Sequence, residues 1–373
     1  MPDTLVHPVT RRPLWHDTPH SLTDGTNRAP VVSGIPFLRQ GRDHLSQALL
    51  STLDAGDTIG ALILALQDQD DWAPLPPPDA MTVRDVVTGD LTFRDSMTAL
   101  NFGPVAHYFA HRWSAPTFLS AMGLLAAYAP LDRPLIDLAC GTGQVLREVA
   151  LRGGTAIGVD QVFAKLWLGQ RYLGLNDLVC ADAETLPFGP AYAPCTVLCH
   201  DALYFLPDAA KSTVIARMKD VAGSGGTVLL GHCHIRGHPH AGDRAHPLCV
   251  AGWQSLMPDA TCHDDAALTQ WFLSRGDMHL DAHDDRPVAA VSLASGARLL
   301  RAVPFWDPVG PLVENPLLVR SEGGLRPDWP LPAFAEEYAD AAYLAVPDAA
   351  AERARSRADR FARRTLLPLP EGW

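Results

Sequence analysis

The chain lacks a long hydrophobic run, a basic surplus, a cysteine pair at metal or redox spacing, and any internal repeat. Each absence removes a class of function. The longest strongly apolar stretch, Ile59 to Leu66, is far short of the roughly 20 residues that a membrane-spanning helix needs. Met1 to Trp15 is polar and punctuated by proline, without the apolar centre of a signal peptide. A cytoplasmic protein with no membrane partner is expected. The 7 cysteines are odd in number, and Cys140, Cys180, Cys199 and Cys233 lie in or beside apparent strands. Only Cys195 and Cys199 are close together, and their spacing suits neither a redox nor a zinc pair. Buried, reduced thiols are the expectation.

The net charge of −12 argues against nucleic acid, whose binders carry a basic face to neutralise phosphates. The one dense basic run is Arg353, Arg355, Arg357, Arg360, Arg363 and Arg364, in an alanine-rich stretch that reads as a terminal helix with a solvated charged face. A small molecule is the favoured partner. At 373 residues the chain is long enough for two or three units.

Composition shifts mark four regions. Residues 1–40 are rich in proline and turns, ending in Pro30-Val31-Val32 and Gly34-Ile35-Pro36-Phe37-Leu38, and suggest a small β-rich arm. Residues 41–116 read as helical. Leu45, Leu49, Leu50 and Leu53 form one apolar stripe; Ile59, Leu62, Ile63 and Leu66 form another. Pro74-Leu75-Pro76-Pro77-Pro78 then separates these helices from a later pair near Met97 to Trp113. In residues 117–296, a helix over Thr117–Tyr128 precedes strands over Pro134–Leu138, Thr155–Val159, Asp177–Ala181, Thr196–His200 and Thr227–Leu230, alternating with helical segments such as Val145–Leu151 and Asp208–Val221. Such alternation predicts a parallel sheet with helices on both faces. A helical stretch to Arg275 and a hairpin of Met278–Ala282 with Val288–Leu293, turning at Asp284-Asp285-Arg286, would complete it. Residues 297–373 form a proline-rich extension ending in the arginine helix.

Leu135-Ile136-Asp137-Leu138-Ala139-Cys140-Gly141-Thr142-Gly143-Gln144 runs from an apolar strand through two glycines into a helix. Glycine permits the tight turn and lets backbone approach a ligand. Dinucleotide enzymes use a similar turn, but two features oppose a diphosphate here. The third glycine of that fingerprint would fall at Leu146, and Asp137 would repel phosphate. A ligand carrying an amino group and a sulfonium tolerates that acid better. Asp160 ends the second strand, 17 residues after Gly143, where an acid can hold a ribose diol. Asp182 ends the third, where an acid can accept from an adenine amino group.

These residues resemble the class I S-adenosylmethionine-dependent methyltransferases, over roughly Thr117 to His234. The resemblance implies a Rossmann-like α/β fold with a seven-stranded, mostly parallel sheet, carrying an N-terminal helical lid and the C-terminal extension. It implies S-adenosyl-L-methionine as cofactor, held by Asp137, Ala139, Cys140, Gly141, Thr142, Gly143, Asp160, Gln161, Asp182, Ala183 and His200. Ala139, Gly141 and Gly143 would line the methionine half, Asp160 the ribose, Asp182 with Ala183 the adenine; His200 would sit beside the methionine part. Ala139 departs from the glycine common in the family. A second resemblance lies at the front, where His7-Pro8-Val9-Thr10, Arg12-Pro13-Leu14 and the segment from Pro30 to Leu38 are similar to a small zinc-ribbon-like module preceding some bacterial methyltransferases. Cysteine pairs would sit near His7 and Thr10, yet no cysteine precedes Cys140. The arm is therefore expected to be a structural or docking unit without metal.

Methyl transfer from a sulfonium needs chiefly a positioned acceptor and excluded water. Ligands of open α/β sheets bind beyond the carboxyl ends of strands, which makes His200, Asp201 and Tyr204 the candidates for substrate positioning or proton removal. His232, His234, His238, His240 and His246 invite a metal hypothesis, but with no carboxylate at a fixed interval, and with Pro239 and Pro247 among them, a mobile loop over the acceptor is expected and no metal. Tyr108 and Arg112 could close the pocket from the other side. The expected function is methyl transfer to a small-molecule oxygen or nitrogen acceptor. The alternatives are a non-catalytic S-adenosylmethionine-binding or assembly protein and, less favoured, a nicotinamide-dependent oxidoreductase.

Overall fold

The structure, a computed structural model, describes residues 5–69, 75–100, 112–238, 245–274, 288–305, 309–329, 331–338 and 362–373. Strands β1 (Trp15–Thr18), β2 (Ser21–Thr23), β3 (Arg28–Val32) and β4 (Ile35–Pro36) pair in that order as an antiparallel sheet. Hydrogen bonds join two turns of this segment. His7 Nδ1 accepts from the backbone N–H groups of Val9 and Thr10, the Thr10 hydroxyl donates to Asp24 Oδ2 (2.6 Å), and Asp24 Oδ1 accepts from Thr26 and Asn27 N–H (2.9 and 2.7 Å). The Thr10 hydroxyl, then the backbone donors, hold the Asp24 carboxyl well below its ordinary range. His7 and Thr10, where the zinc-ribbon resemblance would place cysteines, are thus engaged in hydrogen bonds.

Helices follow at Asp43–Asp54, Thr58–Gln67, Ala80–Thr88 and Phe93–Ala99. Leu49 and Leu53 of the first and Leu62, Ile63 and Leu66 of the second are buried, as their spacing predicts. The helix Ala80–Thr88, unanticipated in the sequence reading, starts because Asp79 follows the prolines and accepts from Met81 and Thr82 N–H. Of the expected pair near Met97 to Trp113, Phe93–Ala99 forms, and residues 101–111, Tyr108 included, lie outside the described residues.

The central sheet contains β5 (Leu135–Leu138), β6 (Ala156–Asp160), β7 (Leu178–Cys180), β8 (Thr196–His200), β9 (Thr227–His234), β10 (Thr261–Asp264) and β11 (Ala290–Ser295), ordered β10-β11-β9-β8-β5-β6-β7. β11 alone runs antiparallel to its neighbours. The expected α/β architecture with a seven-stranded, mostly parallel sheet is therefore present. Both faces are apolar because alternate residues face opposite layers. Leu135, Leu198 and Leu229 pack with the helices Pro116–Tyr128 and Phe163–Leu173, while Ile136, Leu138, Val197 and Val228 pack on the other face with Asp208–Ala222.

Four expectations need correction. The helical stretch to Arg275 contains β10 before its helix, Asp265–Ser274. Cys262 and His263 are buried there, and Asp264 Oδ1 accepts from Ala266 N–H, so the helix starts only after the strand. Val288–Leu293 becomes β11, pairing with β9 and β10, whereas Met278–Ala282 and its turn lie outside the described residues. Thr227–Leu230 is only the first half of β9, which continues through His234 and buries both His232 and His234. The arginine run is described only at its end, in the short helix Ala362–Thr365. There Arg364 is buried, not solvated, against the pairing of Val313–Glu314 with Leu366–Leu367.

The N-terminal sheet is built into the molecule. Phe37 bridges Cys180 at the β7 edge, Leu38 N–H donates to the Cys180 carbonyl (2.7 Å), and Arg11 donates to the carbonyls of Leu186 and Phe188 (2.7 and 2.9 Å). The edge strand is thereby covered, which blunts edge-to-edge pairing. At the other end of the chain, Arg147 donates to the Pro368 carbonyl (2.6 Å), and Phe93 N–H donates to that of Gly372 (2.7 Å). No helix among the described residues is long and apolar enough to cross a membrane.

Candidate active site

The turn after β5 requires left-handed backbone at Ala139 (φ 54°), Gly141 (φ 60°) and Gly143 (φ 84°). Gly143 opens the helix Gln144–Ala150, and a Cβ there would meet Leu175. Ala139 adopts the same region although it carries a Cβ. Ala139 is exposed and Gly141 half-buried, so the turn is accessible. The Thr142 hydroxyl and Gln144 Nε2 are buried without a hydrogen-bond partner.

Asp137 lies behind this turn, 3% exposed. Burial first, then the charge of Asp160, pushes its carboxyl well above the ordinary range, with Arg112 opposing. A buried acid beside another acid disfavours an anion and is relieved by a cation. This donor set therefore fits a ligand bearing an ammonium or sulfonium and does not fit a diphosphate.

Asp160, at the end of β6, is drawn to the same turn. Its Oδ2 accepts from Gly141 N–H (2.9 Å) and its Oδ1 from Val162 N–H (2.9 Å), with Lys165 Nζ at 3.9 Å. It joins the first turn to the second, and Gln161 follows it at the strand end. Asp182 follows β7, but its Oδ2 accepts from Gln40 N–H (2.7 Å), tying down the N-terminal segment. Asp182 and Ala183 are both half-buried. Cys140 is half-buried beside Asp160 and Asp137; burial and then those charges raise its thiol well above the ordinary range.

A second group of polar side chains gathers at the ends of β8 and β9. His200 Nε2 lies 2.6 Å from the Thr117 carbonyl, so it must donate, leaving Nδ1 buried without a partner. Burial lowers this imidazole to about 4 despite Asp201. Asp201 has left-handed backbone (φ 54°) and an ion pair with Arg112 Nη1 (2.8 Å), and its Oδ1 accepts from Tyr204 OH (3.1 Å). Burial resists ionisation of Asp201, but Arg112 and then the neighbouring histidines outweigh it and hold it at about 2. The Tyr204 phenol is raised by burial and then by Asp201. Arg112, reaching in from a short turn at Arg112–Ser114, thus stands between the two groups.

The sequence reading missed Asp265, Ser292 and Glu337. His232 Nδ1 donates to Asp265 Oδ2 (2.7 Å), whose Oδ1 accepts from the Ser292 hydroxyl (2.5 Å). Burial works against a charged His232, but the Asp265 hydrogen bond and charge raise it above its ordinary value. His234 packs edge-on to His232 and Tyr204 (centroids 4.6 and 4.4 Å) and faces Glu337. No spacing in the sequence signals these partners, because they arrive from β11, the helix after β10 and the extension.

A mostly parallel sheet whose first strand ends in a glycine turn backed by the buried Asp137 and Asp160 is an arrangement that suits a cationic ligand. Residues 135–226 match the family profile described as a methyltransferase domain. That match runs from β5 to the turn before β9 and so takes in the glycine turn, Asp160 and Asp182. A search of curated proteins gave no significant match. Among solved structures, the chain is similar to a Haemonchus contortus phosphoethanolamine N-methyltransferase complexed with phosphomonomethylethanolamine and S-adenosylhomocysteine. Identity is 16%, coverage 50% of this chain and 49% of that one, and TM-score 0.37; the chain thus spans about half of that protein. It is also similar to Streptomyces coelicolor geranyl diphosphate C-methyltransferase (15% identity, 63% and 96% coverage, TM-score 0.36). A Burkholderia thailandensis 1,6-didemethyltoxoflavin-N1-methyltransferase is similar at 17% identity, 61% and 92% coverage and TM-score 0.37.

Proposed function

We propose that the chain transfers a methyl group from S-adenosylmethionine to a small-molecule oxygen or nitrogen acceptor. The observation that carries this reading is the glycine turn with Asp137 buried behind it, its carboxyl raised by burial and by Asp160. When bound, the cofactor supplies an activated methyl group on sulfur. Asp137 would balance the ligand's positive charge, Asp160, which fixes Gly141 N–H, would hold the ribose hydroxyls, and Ala183 would stand on the adenine side. His200, Asp201 and Tyr204, held through Thr117, Arg112 and one another, form the acceptor wall at the adjoining strand ends. Their engagement suits positioning the acceptor and excluding water, the main demands of this in-line displacement.

Calorimetric titration of the full chain tests the reading: S-adenosylhomocysteine should bind and NAD should not. Asp160→Ala should weaken that binding by about 1–3 kcal/mol through lost charge-assisted hydrogen bonds. Methyl-labelled cofactor incubated with a metabolite extract of the native host should then yield a labelled small molecule. Binding of S-adenosylhomocysteine without any labelled product would favour a non-catalytic, assembly role; binding of NAD alone would overturn the reading.

A further inference from the structure

Among the described residues, Asp201, His232 and His234 each offer one donor atom, all lying within 4.8 Å of one another. We propose that these side chains, joined by Glu337, form a binding site for one divalent first-row transition-metal ion. His232 sets the tautomer. Its Nδ1–H donates to Asp265, so in the neutral ring a metal would bind, Nε2 carries the lone pair, and that atom is buried without a hydrogen-bond partner on a side chain only 9% exposed. A ligating imidazole that donates its other ring N–H to a carboxylate is the recurrent arrangement of metal-binding histidines. Asp265 is itself braced by the Ser292 hydroxyl.

The spacing around His234 agrees. Its Nε2 lies 3.8 Å from Asp201 Oδ1 and 3.7 Å from Glu337 Oε1, with all three side chains under one-tenth exposed. Both distances exceed a hydrogen bond. Ligands held about 2.0–2.2 Å from one ion stand about 3.0–3.6 Å apart, so the group would draw in around the ion. Two imidazoles with one or two carboxylates suit zinc, manganese, iron, cobalt or nickel better than magnesium or calcium. Asp201 pairs with Arg112, Asp265 with His232, and Glu337 lies beside His234, a gathering of carboxylates whose negative charge a dication would offset.

The backbone is shaped to the same end. β9 bulges where Leu230 and Cys233 pair with Leu293 and Val291, so that Gly231 and His232 together oppose Ser292. His232 there has φ 50° and Asp201 φ 54°, two left-handed non-glycine residues at neighbouring strand ends. Such conformations persist where surrounding structure fixes them, often at working sites.

Under the methyl-transfer reading, on which this last step rests, the ion would bind an acceptor oxygen and lower the pKa of its hydroxyl. The O–H proton passes to water. The oxygen forms its bond to the methyl carbon as the carbon–sulfur bond breaks, the electron pair staying on sulfur to leave a thioether.

The test uses the full chain, freed of metal with a chelator and titrated with Zn(II), Mn(II) and Co(II) by calorimetry. Zn(II) should bind at one ion per chain with Kd below about 10 μM, raise Tm, and compete with Co(II), whose visible bands report the ligand field. His232→Ala and His234→Ala should each weaken binding at least about 100-fold, and Asp265→Asn about 10–100-fold with a shift of the Co(II) bands. His246→Ala, on the exposed loop, should leave the metal titration unchanged. The inference is overturned if no ion binds tighter than about 1 mM, or if the double variant His232→Gln/His234→Gln keeps both its native circular dichroism and its affinity. Asp201→Asn is the further variant should the histidine changes prevent folding; unchanged affinity and Co(II) bands would count against the site. S-adenosylhomocysteine, titrated in parallel, separates the readings: its binding without metal binding removes this inference alone.

Discussion

Ala139 and Asp137 are each set against local preference. The left-handed conformation costs a residue with a Cβ about 1–2 kcal/mol, and glycine's extra chain entropy returns part of that. Ala139→Gly should therefore stabilise the chain by about 0.5–1 kcal/mol in urea unfolding; a loss of stability would show that the turn is unstrained. Asp137 should behave in the opposite way toward ligand and fold. Its folded carboxyl titrates above the unfolded value of 3.8, so the folded state holds the proton more tightly. Its contribution is greatest at low pH and is lost as pH rises from that value through the raised one. Asp137→Asn should unfold at higher urea than the parent, by a margin that widens from pH 5 to pH 8. The same variant should bind S-adenosylhomocysteine more weakly. An equal margin at both pH values would mean that the acid is not held in its protonated form.

At the scale of elements, the strand ends converge and β9 carries the device that shapes them. A Cβ on Gly231 would overlap the His200 imidazole, whose Nε2 is already anchored to Thr117. Gly231→Ala should destabilise the fold by about 1–3 kcal/mol through overpacking, and nuclear magnetic resonance should show the His200 ring signals displaced. Undisturbed ring signals would refute the contact. Strands β5, β6, β7 and β8 were legible as apolar runs before turn residues, as were the glycine turn and the acids after β6 and β7. The bulge was not: Gly231-His232 acquires it only by pairing with Ser292 of β11.

Across the whole molecule, the appended regions are tied to the central sheet. The N-terminal sheet covers β7, Asp182 holds Gln40, and Glu337 of the extension reaches His234. Asp24 joins the two outer turns, and its folded carboxyl lies below the unfolded 3.8. That contribution is complete above the unfolded value and is lost as pH falls from there toward the lowered one. Asp24→Asn should destabilise the N-terminal unit by about 1–3 kcal/mol at pH 7, with the difference shrinking at pH 3. Hydrogen exchange of the β1 to β3 amides would measure it, and an undiminished difference at pH 3 would remove the carboxylate from this role.

Local order along the chain determined the alternation of strand and helix, the turn after β5, and the two acids at strand ends, since each depends on near neighbours and on side-chain period. Tertiary structure alone decided that Asp201, His232, His234 and Glu337 meet, that Asp265 orients His232, and that Asp182 serves the N-terminal segment. Apart from the two histidines these partners lie tens of residues from one another, and only the packing of the elements that carry them brings them together. The physical reason is that periodicity encodes which face a residue takes, whereas the identity of what it faces is fixed by packing between elements.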